Sequence, residues 1–298
     1  MRLALIGTGL IGGSAAWAMK NAGFFHRVTA CDRNIESARK AVQIGFADRA
    51  CDDISQAVID ADAVMVAVPV QAMQSVFAQI AKYDNGRYLI TDVGSTRTTV
   101  IAAARRELGK GFARYAPMHP IAGGEMPGVE YAAPDLFVGC KVISTPEVGM
   151  SEQTRDFWSQ AWQRVGAHIV TMTPTEHDEV FACVSHLPHV LAYTLINSIG
   201  EMPDAKQKFS FAGAGFRDFT RIAASSPAMW RDICLANKQA ILDGLTAFEA
   251  SLERMRCVIE KGDAEALEAL FERASSERRR LFQRSPSNRQ SNGGDRAK

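Results

Sequence analysis

The sequence lacks the long apolar runs and cysteine patterns that mark membrane and secreted proteins. No apolar stretch reaches about 18 residues, the length that a membrane-spanning helix needs. The apolar N-terminal stretch spans roughly six residues before a glycine, which is too short for a signal peptide. The six cysteines include no C-x-x-C pair, so neither a zinc knuckle nor a disulfide framework is predicted. These absences predict a cytoplasmic protein that does not bind membranes.

An excess of charge of one sign is also lacking. The chain has 34 basic and 33 acidic side chains, for a formal net charge of +1. This balance gives no field that would hold the protein on nucleic acid, so its expected partners are small molecules. His186 and His189 stand one helical turn apart, but no third ligand lies near them in the sequence. No metal site is therefore predicted.

The pattern of short apolar runs changes along the 298 residues. Up to residue 172, β-rich runs alternate with helical patterns, which is typical of a parallel sheet covered by helices. Long helical segments then follow over 175–199 and 226–258. The sequence therefore predicts an α/β fold, with an N-terminal Rossmann-like dinucleotide-binding domain over 1–172. An all-helical C-terminal domain is predicted over 173–283, and a disordered tail over 284–298. The predicted strands are 3–6, 28–31, 63–68, 88–91, 141–144 and 168–171.

A dinucleotide fingerprint occupies the first predicted turn. Gly7, Gly9 and Gly12 form a G-x-G-x-x-G pattern between an apolar strand and a helical run, and Leu10 and Ile11 complete it. The first glycine permits the tight turn, the second lets the backbone approach a pyrophosphate, and the third lets the helix pack on the strand. The helix N-terminus then presents N–H groups to the phosphates. This context favours a nicotinamide dinucleotide as the cofactor.

Two further predicted strand ends complete the expected cofactor site. Asp32 follows the second predicted strand, where a carboxylate binds the ribose hydroxyls and repels a 2′-phosphate, so NAD is favoured over NADP. The neighbouring Arg33 leaves the choice open, because a guanidinium there can stack on adenine or pair with a 2′-phosphate. Val68 and Pro69 end the apolar central strand, where the nicotinamide half of the cofactor is expected.

Four polar segments follow the fingerprint and carry residues suited to catalysis. They are 92–97 (DVGSTR), 118–125 (MHPIAGGE), 184–189 (VSHLPH) and 215–221 (GFRDFTR). In this order, behind the glycine pattern, they resemble the prephenate/arogenate (cyclohexadienyl) dehydrogenase family of tyrosine biosynthesis. The likeness extends over residues 1–283.

The resemblance implies an NAD-dependent oxidative decarboxylation of prephenate to 4-hydroxyphenylpyruvate, with arogenate as an alternative substrate. It implies that His119 accepts a hydrogen bond or proton from the C4 hydroxyl of the substrate and that Ser95 lies beside it. It also implies a homodimer formed through the helical domain. The substrate-binding residues that it implies are His189, Arg221, His186, Ser185 and Glu125.

Two rival functions remain at the level of the sequence. A β-hydroxyacid dehydrogenase shares the order of a Rossmann domain and helices, but needs a catalytic lysine in the helical half. Lys206, Lys208 and Lys238 are available there, outside the expected context. A redox sensor would bind NAD without turnover and would leave the polar segments without a purpose.

Overall fold

The computed structural model of the protein describes residues 1–124, 126 and 128–282. Within these residues, β1 to β8 form one sheet in the order β3-β2-β1-β4-β5-β6-β7-β8. The strands β1 to β6 are parallel, whereas β7 runs antiparallel to β6, and β8 is parallel to β7. The strands are β1 (Arg2–Ile6), β2 (Arg27–Cys31), β3 (Arg49–Cys51), β4 (Ala63–Val66), β5 (Leu89–Asp92), β6 (Tyr115–Pro120), β7 (Lys141–Ser144) and β8 (His168–Thr171).

Helices pack on the sheet, and the described chain after β8 forms helices and no further strand. The α-helices are α1 (Leu10–Asn21), α2 (Ile35–Ile44), α3 (Ile54–Val58), α4 (Val70–Lys82), α5 (Thr98–Leu108), α6 (Glu152–Arg164), α7 (Pro174–Phe181), α8 (Leu187–Gly200), α9 (Ala205–Ser210), α10 (Ala214–Thr220), α11 (Pro227–Ala236), α12 (Lys238–Lys261) and α13 (Ala264–Phe282). Short 3-10 helices span Gly109–Arg114, Val129–Tyr131 and Arg221–Ala224.

The sheet is buried on both faces, because every residue of the central strand β4 is apolar and fully covered. Alternate residues of β1 and β4 enter two separate apolar clusters, one on each face of the sheet. Parallel sheets with helices on both faces have this all-apolar central strand. Ligands of such sheets bind at the carboxyl ends of the strands.

The sequence missed two strands for identifiable reasons. The strand β3 has only three residues, too few to show a period, and it pairs with β2 at Cys31 and Cys51. The strand β6 contains Pro117 and Pro120, which ordinarily argue against a strand. Because β6 carries His119, this second omission bears directly on the site.

The helical half begins with a strong start signal. Thr173 and Glu176 form a reciprocal capping box, and Pro174 occupies the first turn of α7. A π-helical turn over Ala182–His186 joins α7 to α8. By length and composition alone, the combined run Pro174–Gly200 is apolar enough to cross a membrane, and only 22% of its most apolar window is buried within the chain. Core and interface helices also have this composition, so the expectation about membranes stays a prediction.

The chain separates into two compact units, one from Met1 to Gly244 and another that starts at Leu245. The first contains the whole sheet and helices α1 to α11. The boundary predicted at residue 172 is a different division of the chain and stays a prediction. The tail predicted over 284–298 lies outside the described residues.

Candidate active site

The glycine pattern builds a cradle between β1 and α1. Gly7 has a φ of +95°, and a Cβ there would lie 2.4 Å from the carbonyl oxygen of Ala67. A Cβ on Gly12 would lie 2.5 Å from the carbonyl oxygen of Gly7, so the helix packs closely against the turn. By contrast, a Cβ on Gly9 would meet open space. The first and third glycines are thus needed for the turn itself, and the second borders open space, as the close approach of a pyrophosphate requires.

The start of α1 fits an anionic group as well. Gly9 caps the helix without a side-chain hydrogen bond, and Leu10 and Ile11 form its first turn. N–H groups at an uncapped helix start need acceptors, which a pyrophosphate supplies. Val68 and Pro69 lie just past the end of β4, and Val68 borders this turn, since its Cγ1 would lie 3.0 Å from a Cβ on Gly7. The structure therefore brings these predicted cofactor residues together.

The carboxylate of Asp32 is held in place after β2. The backbone N–H and the hydroxyl of Thr8 both donate to Asp32 Oδ2, at 2.9 and 3.0 Å. The N–H of Asn34 donates to Oδ1 at 3.0 Å. A carboxylate fixed in this way is ready to accept hydrogen bonds from ribose hydroxyls. Arg33 is exposed beside it.

His119 lies on β6, and its ring contacts the helical segment that follows β8. His119 Nδ1 and His177 Nε2 are 2.8 Å apart, and His177 Nδ1 lies 2.9 Å from Asp178 Oδ1. The ring of Phe181 packs against both histidine rings, with centroids 5.1 and 4.4 Å away. An unbroken hydrogen-bonded chain therefore runs from a buried carboxylate to His119.

Asp178 is anchored by the start of α5. Its carboxylate accepts the backbone N–H groups of Arg97 and Thr98, at 2.7 and 2.9 Å. Burial favours the neutral carboxyl group, but the hydrogen bonds from His177, Arg97 and Thr98 outweigh it and lower the pKa of Asp178. The carboxylate is therefore ionised at neutral pH.

A buried ion pair supports the loop between β5 and α5. The guanidinium of Arg97 binds Asp92 through two hydrogen bonds of 3.1 and 2.6 Å, and both side chains are fully buried. Tyr115 donates its hydroxyl proton to Asp92 at 2.5 Å, and the N–H of Gly94 donates to the same carboxylate at 2.7 Å. Bidentate geometry and these extra donors satisfy the pair. The loop that carries Ser95 is thus built on a fixed base.

The predicted substrate residues of the helical half lie around the π-helical turn. His189 Nδ1 donates to the carbonyl oxygen of Ser185 at 2.8 Å, which leaves His189 Nε2 as the acceptor atom. Its ring stacks on buried Trp230, with centroids 3.6 Å apart. Burial lowers the pKa of His189, and the nearby positive charge of Arg221 lowers it further. His189 is therefore neutral and close to Arg221.

His186 occupies a more enclosed position than the sequence alone indicated. Its ring is 1% exposed, and Asn237 Nδ2 donates to its Nδ1 at 3.1 Å. The same amide donates to the backbone carbonyl oxygen of Asp178 at 2.7 Å. His186 therefore packs between the helices of the site and has one ring nitrogen already engaged by the protein.

Several site residues were missed by the sequence, and one predicted residue is not described. Glu125 lies outside the described residues. Thr8 lies inside the glycine pattern, which assigns no function to its side chain. His177 and Asp178 lie in the first turns of α7, where the sequence shows no motif. Arg97 is the last residue of the polar segment 92–97, and the sequence pattern assigns it no function. Among the described residues, no group of three His, Cys, Asp or Glu side chains is arranged to hold a metal.

Comparisons with known proteins cover both halves of the chain. Residues 15–171 match the family model of the prephenate dehydrogenase nucleotide-binding domain, and residues 173–273 match that of the prephenate dehydrogenase dimerization domain. The chain is 35% identical over 278 residues to the cyclohexadienyl dehydrogenase of Zymomonas mobilis subsp. mobilis, covering 93% of this chain and 94% of that protein. It is 37% identical over 279 residues to the prephenate dehydrogenase of Bacillus subtilis (strain 168), covering 92% of this chain and 74% of that protein.

A solved structure agrees with these relatives. The prephenate dehydrogenase from A. aeolicus, in complex with hydroxyphenyl propionate and NAD+, is 34% identical, with a TM-score of 0.89 over 94% of this chain and 98% of that one. The arogenate dehydrogenase of Synechocystis, 24% identical with a TM-score of 0.79, shares the fold. The predicted order of a nucleotide-binding α/β half and a helical half is therefore confirmed. Matches over both halves, together with relatives above 30% identity, lead to one conclusion: this chain belongs to the prephenate dehydrogenase family.

Proposed function

We propose that the protein catalyses the NAD-dependent oxidative decarboxylation of prephenate to 4-hydroxyphenylpyruvate, with arogenate as the alternative substrate. NAD supplies the hydride acceptor when it is bound in the cradle at Gly7, Gly9 and Gly12. The observation that carries the proposal is the position of the His119 ring on β6, two places along the sheet from β4, the strand that leads to Val68 and Pro69. Oxidising an alcohol requires a group that accepts its proton, and neutral imidazole is such a group.

The electrostatics of His119 suit this role. Burial disfavours the charged ring, and electrostatic repulsion from His177, Arg97 and His186 opposes its protonation further, so the pKa of His119 lies well below its usual value. His119 is therefore ready to accept the hydroxyl proton at neutral pH. We assign Ser95, on the loop after β5, to a hydrogen bond with the same hydroxyl.

The substrate is a diacid, and the helical half supplies groups for carboxylates. We assign carboxylate binding to Arg221, whose guanidinium suits two-point contact, and to His189, with Ser185 and His186 supporting this wall. Glu125 is assigned to the rim of the site by resemblance alone. Asp32 is assigned to the adenosine ribose of NAD, because its fixed carboxylate repels a 2′-phosphate.

We also propose a homodimer in the cytoplasm. The match of residues 173–273 to a dimerization domain supports this assembly, as does the apolar run Pro174–Gly200, which is mostly uncovered within the chain. A second chain that packs on this run would bury its apolar surface. Light scattering on purified protein should give twice the mass of one chain.

The lysines required by the rival β-hydroxyacid dehydrogenase reading are exposed. Lys208 pairs with Asp204 one turn away on the surface, and Lys206 and Lys238 are exposed as well.

One assay tests the proposal. NADH formation is followed with prephenate and with arogenate, for the wild type and for His119→Asn. Loss of a positioned proton acceptor typically costs about a hundred- to ten-thousand-fold in kcat, while the Kd for NAD should stay the same. The exposed His168→Asn provides the matched control and should keep normal kcat. No NADH from either substrate, or a His119→Asn variant within about threefold of the wild type, would refute the proposal.

A further inference from the structure

The feature that the proposed function leaves unused is the chain of three side chains that ends at His119. Asp178 Oδ1, the two nitrogens of His177 and Nδ1 of His119 follow one another at 2.9 and 2.8 Å. The His177 ring is fully buried, and Asp178 is nearly so. Because the His177 ring is buried, water cannot replace either of its two hydrogen-bond partners.

Burial lowers the pKa of His177, and with both rings neutral the protons in this chain have only one arrangement that makes both hydrogen bonds. Ionised Asp178 only accepts, so His177 Nδ1 must carry a proton. A neutral imidazole has a single N–H, so His177 Nε2 is then an acceptor. His119 Nδ1 must therefore carry the proton that binds it, which leaves the lone pair of the neutral ring on Nε2.

We infer that Asp178 and His177 are positioning residues that hold His119 as its Nδ1–H tautomer, so that Nε2 is the atom that takes the substrate's hydroxyl proton. The opposite tautomer would offer an N–H at Nε2, and His119 would then be a hydrogen-bond donor unable to accept the proton. The inference about the tautomer concerns the protein alone, and only its chemical consequence rests on the proposed function.

The reaction needs this proton back. In the proposed step the O–H proton passes to His119 Nε2, the C4–H bond breaks with its electron pair leaving as hydride to the cofactor, and the C4 carbonyl forms. The bond from C1 to the ring carboxylate then breaks and releases carbon dioxide, and its electron pair moves through the ring to the C4 oxygen. That phenolate oxygen takes the proton back from Nε2. The overall step releases no proton to solvent.

Most groups around the two histidines oppose a positive charge on them, and the carboxylate of Asp178 is the main group that favours one. His119 faces His177, Arg97 and His186, which oppose its protonation together with burial. Burial and Arg97 also lower the pKa of His177, whereas Asp178 and the more distant Asp92 raise it. Asp178 is thus the nearest group that stabilises a proton shared along the chain.

The first experiment measures the tautomer directly. Protein labelled with ¹⁵N-histidine is studied without substrate at neutral pH, and the long-range couplings of each ring identify its protonated nitrogen. The six histidines are assigned with single His→Gln variants. We expect an Nδ1–H signal for both His119 and His177. An Nε2–H signal for His119 overturns the inference, whatever the enzyme's substrate proves to be.

The second experiment uses His177→Gln and Asp178→Asn. The Gln variant keeps the bonds from Asp178 to the Arg97 and Thr98 backbone, so it folds even if Asp178→Asn does not. Each variant should lower kcat by roughly 10- to 1000-fold, with the KM for prephenate and the Kd for NAD within about threefold of the wild type. His168→Gln is the matched control.

The pH profile separates positioning from a structural role. Asp178→Asn removes a negative charge that raises the pKa of His177, so the acidic limb of kcat/KM should move to lower pH as the plateau falls. A structural defect would reduce activity at every pH and leave the limb in place. An unchanged kcat in His177→Gln, or an unmoved limb in Asp178→Asn, would overturn the inference. If neither prephenate nor arogenate is oxidised, the proposed function fails, and the tautomer spectrum still decides the inference.

Discussion

Acid should destabilise the fold through His186. This ring is 1% exposed and accepts a hydrogen bond from Asn237 at the nitrogen that would have to take a proton. Burial lowers its pKa to about 4; the charge of Asp178 opposes this shift, and His177 and His189 add to it. Protonation therefore requires both desolvating a charge and breaking the bond to Asn237.

The magnitude follows from the difference between the folded and unfolded states. An unfolded histidine has a pKa of about 6.5, so between that value and 4 the unfolded state binds more protons than the folded state. Stability then rises with pH across this window: the contribution is fully present above the unfolded pKa and is lost as pH falls towards the folded one. Going from about pH 7.5 to about pH 4.5 should cost about 2.5 kcal/mol from this one group.

Urea unfolding of the wild type and His186→Gln at these two pH values measures the effect. The glutamine carbonyl can still accept from Asn237, so the variant removes the titration and keeps the acceptor. Its loss of unfolding free energy on acidification should be smaller than that of the wild type by about 2.5 kcal/mol, at matched protein concentration. His168→Gln, on an exposed part of β8, is the control. Equal losses in the wild type and His186→Gln, within about 0.5 kcal/mol, would refute the reasoning.

Three further predictions concern the cofactor, the substrate and the buried ion pair. Asp32→Ala should raise kcat/KM with NADP relative to NAD, because the carboxylate that repels a 2′-phosphate is gone; a wild type that already prefers NADP would contradict the role of Asp32. Arg221→Ala should raise the KM for prephenate more than about tenfold and leave NAD affinity nearly unchanged, whereas an unchanged KM beside a lower melting temperature would assign Arg221 to structure. Asp92→Asn should lower the free energy of unfolding by about 3 to 5 kcal/mol, since it leaves the Arg97 guanidinium buried without its carboxylate. Tyr115→Phe removes one hydrogen bond to the same carboxylate, worth about 1.5 to 3 kcal/mol, and calorimetry on both variants should show the smaller loss for Tyr115→Phe.

The cofactor half was largely predictable because its signals are local. Each signal needs only a few consecutive residues: the glycine pattern, the apolar β4 and the acidic residue after β2. The structure brings the three together. The strand β6 was missed because proline weakens the usual strand signal. The strand β6 is stabilised by hydrogen bonds to β5 and β7, which are distant in sequence, so a local pattern does not reveal it.

The supporting residues of the site were not predictable for a related reason. His177 and Asp178 lie 58 and 81 residues in sequence from their partners His119 and Arg97, so only the folded chain brings them together. Nothing in the local sequence distinguishes this His-Asp pair from an exposed helix start. Resemblance supplied His119, because a family motif marks it, and gave no account of what holds its ring.

The π-helical turn at Ala182–His186 determines the direction in which the side chains of the following helix, α8, point. An extra residue in one turn rotates the following side chains by about 100° relative to an uninterrupted α-helix. His177 before the turn faces the β6 strand, and His189 after it stacks on Trp230. Deleting one residue from the turn would give a more regular helix and turn His189 away from Trp230. The irregularity thus sets a fixed angle between His177, which contacts His119 on β6, and His189, which stacks on Trp230, although both belong to one helical run.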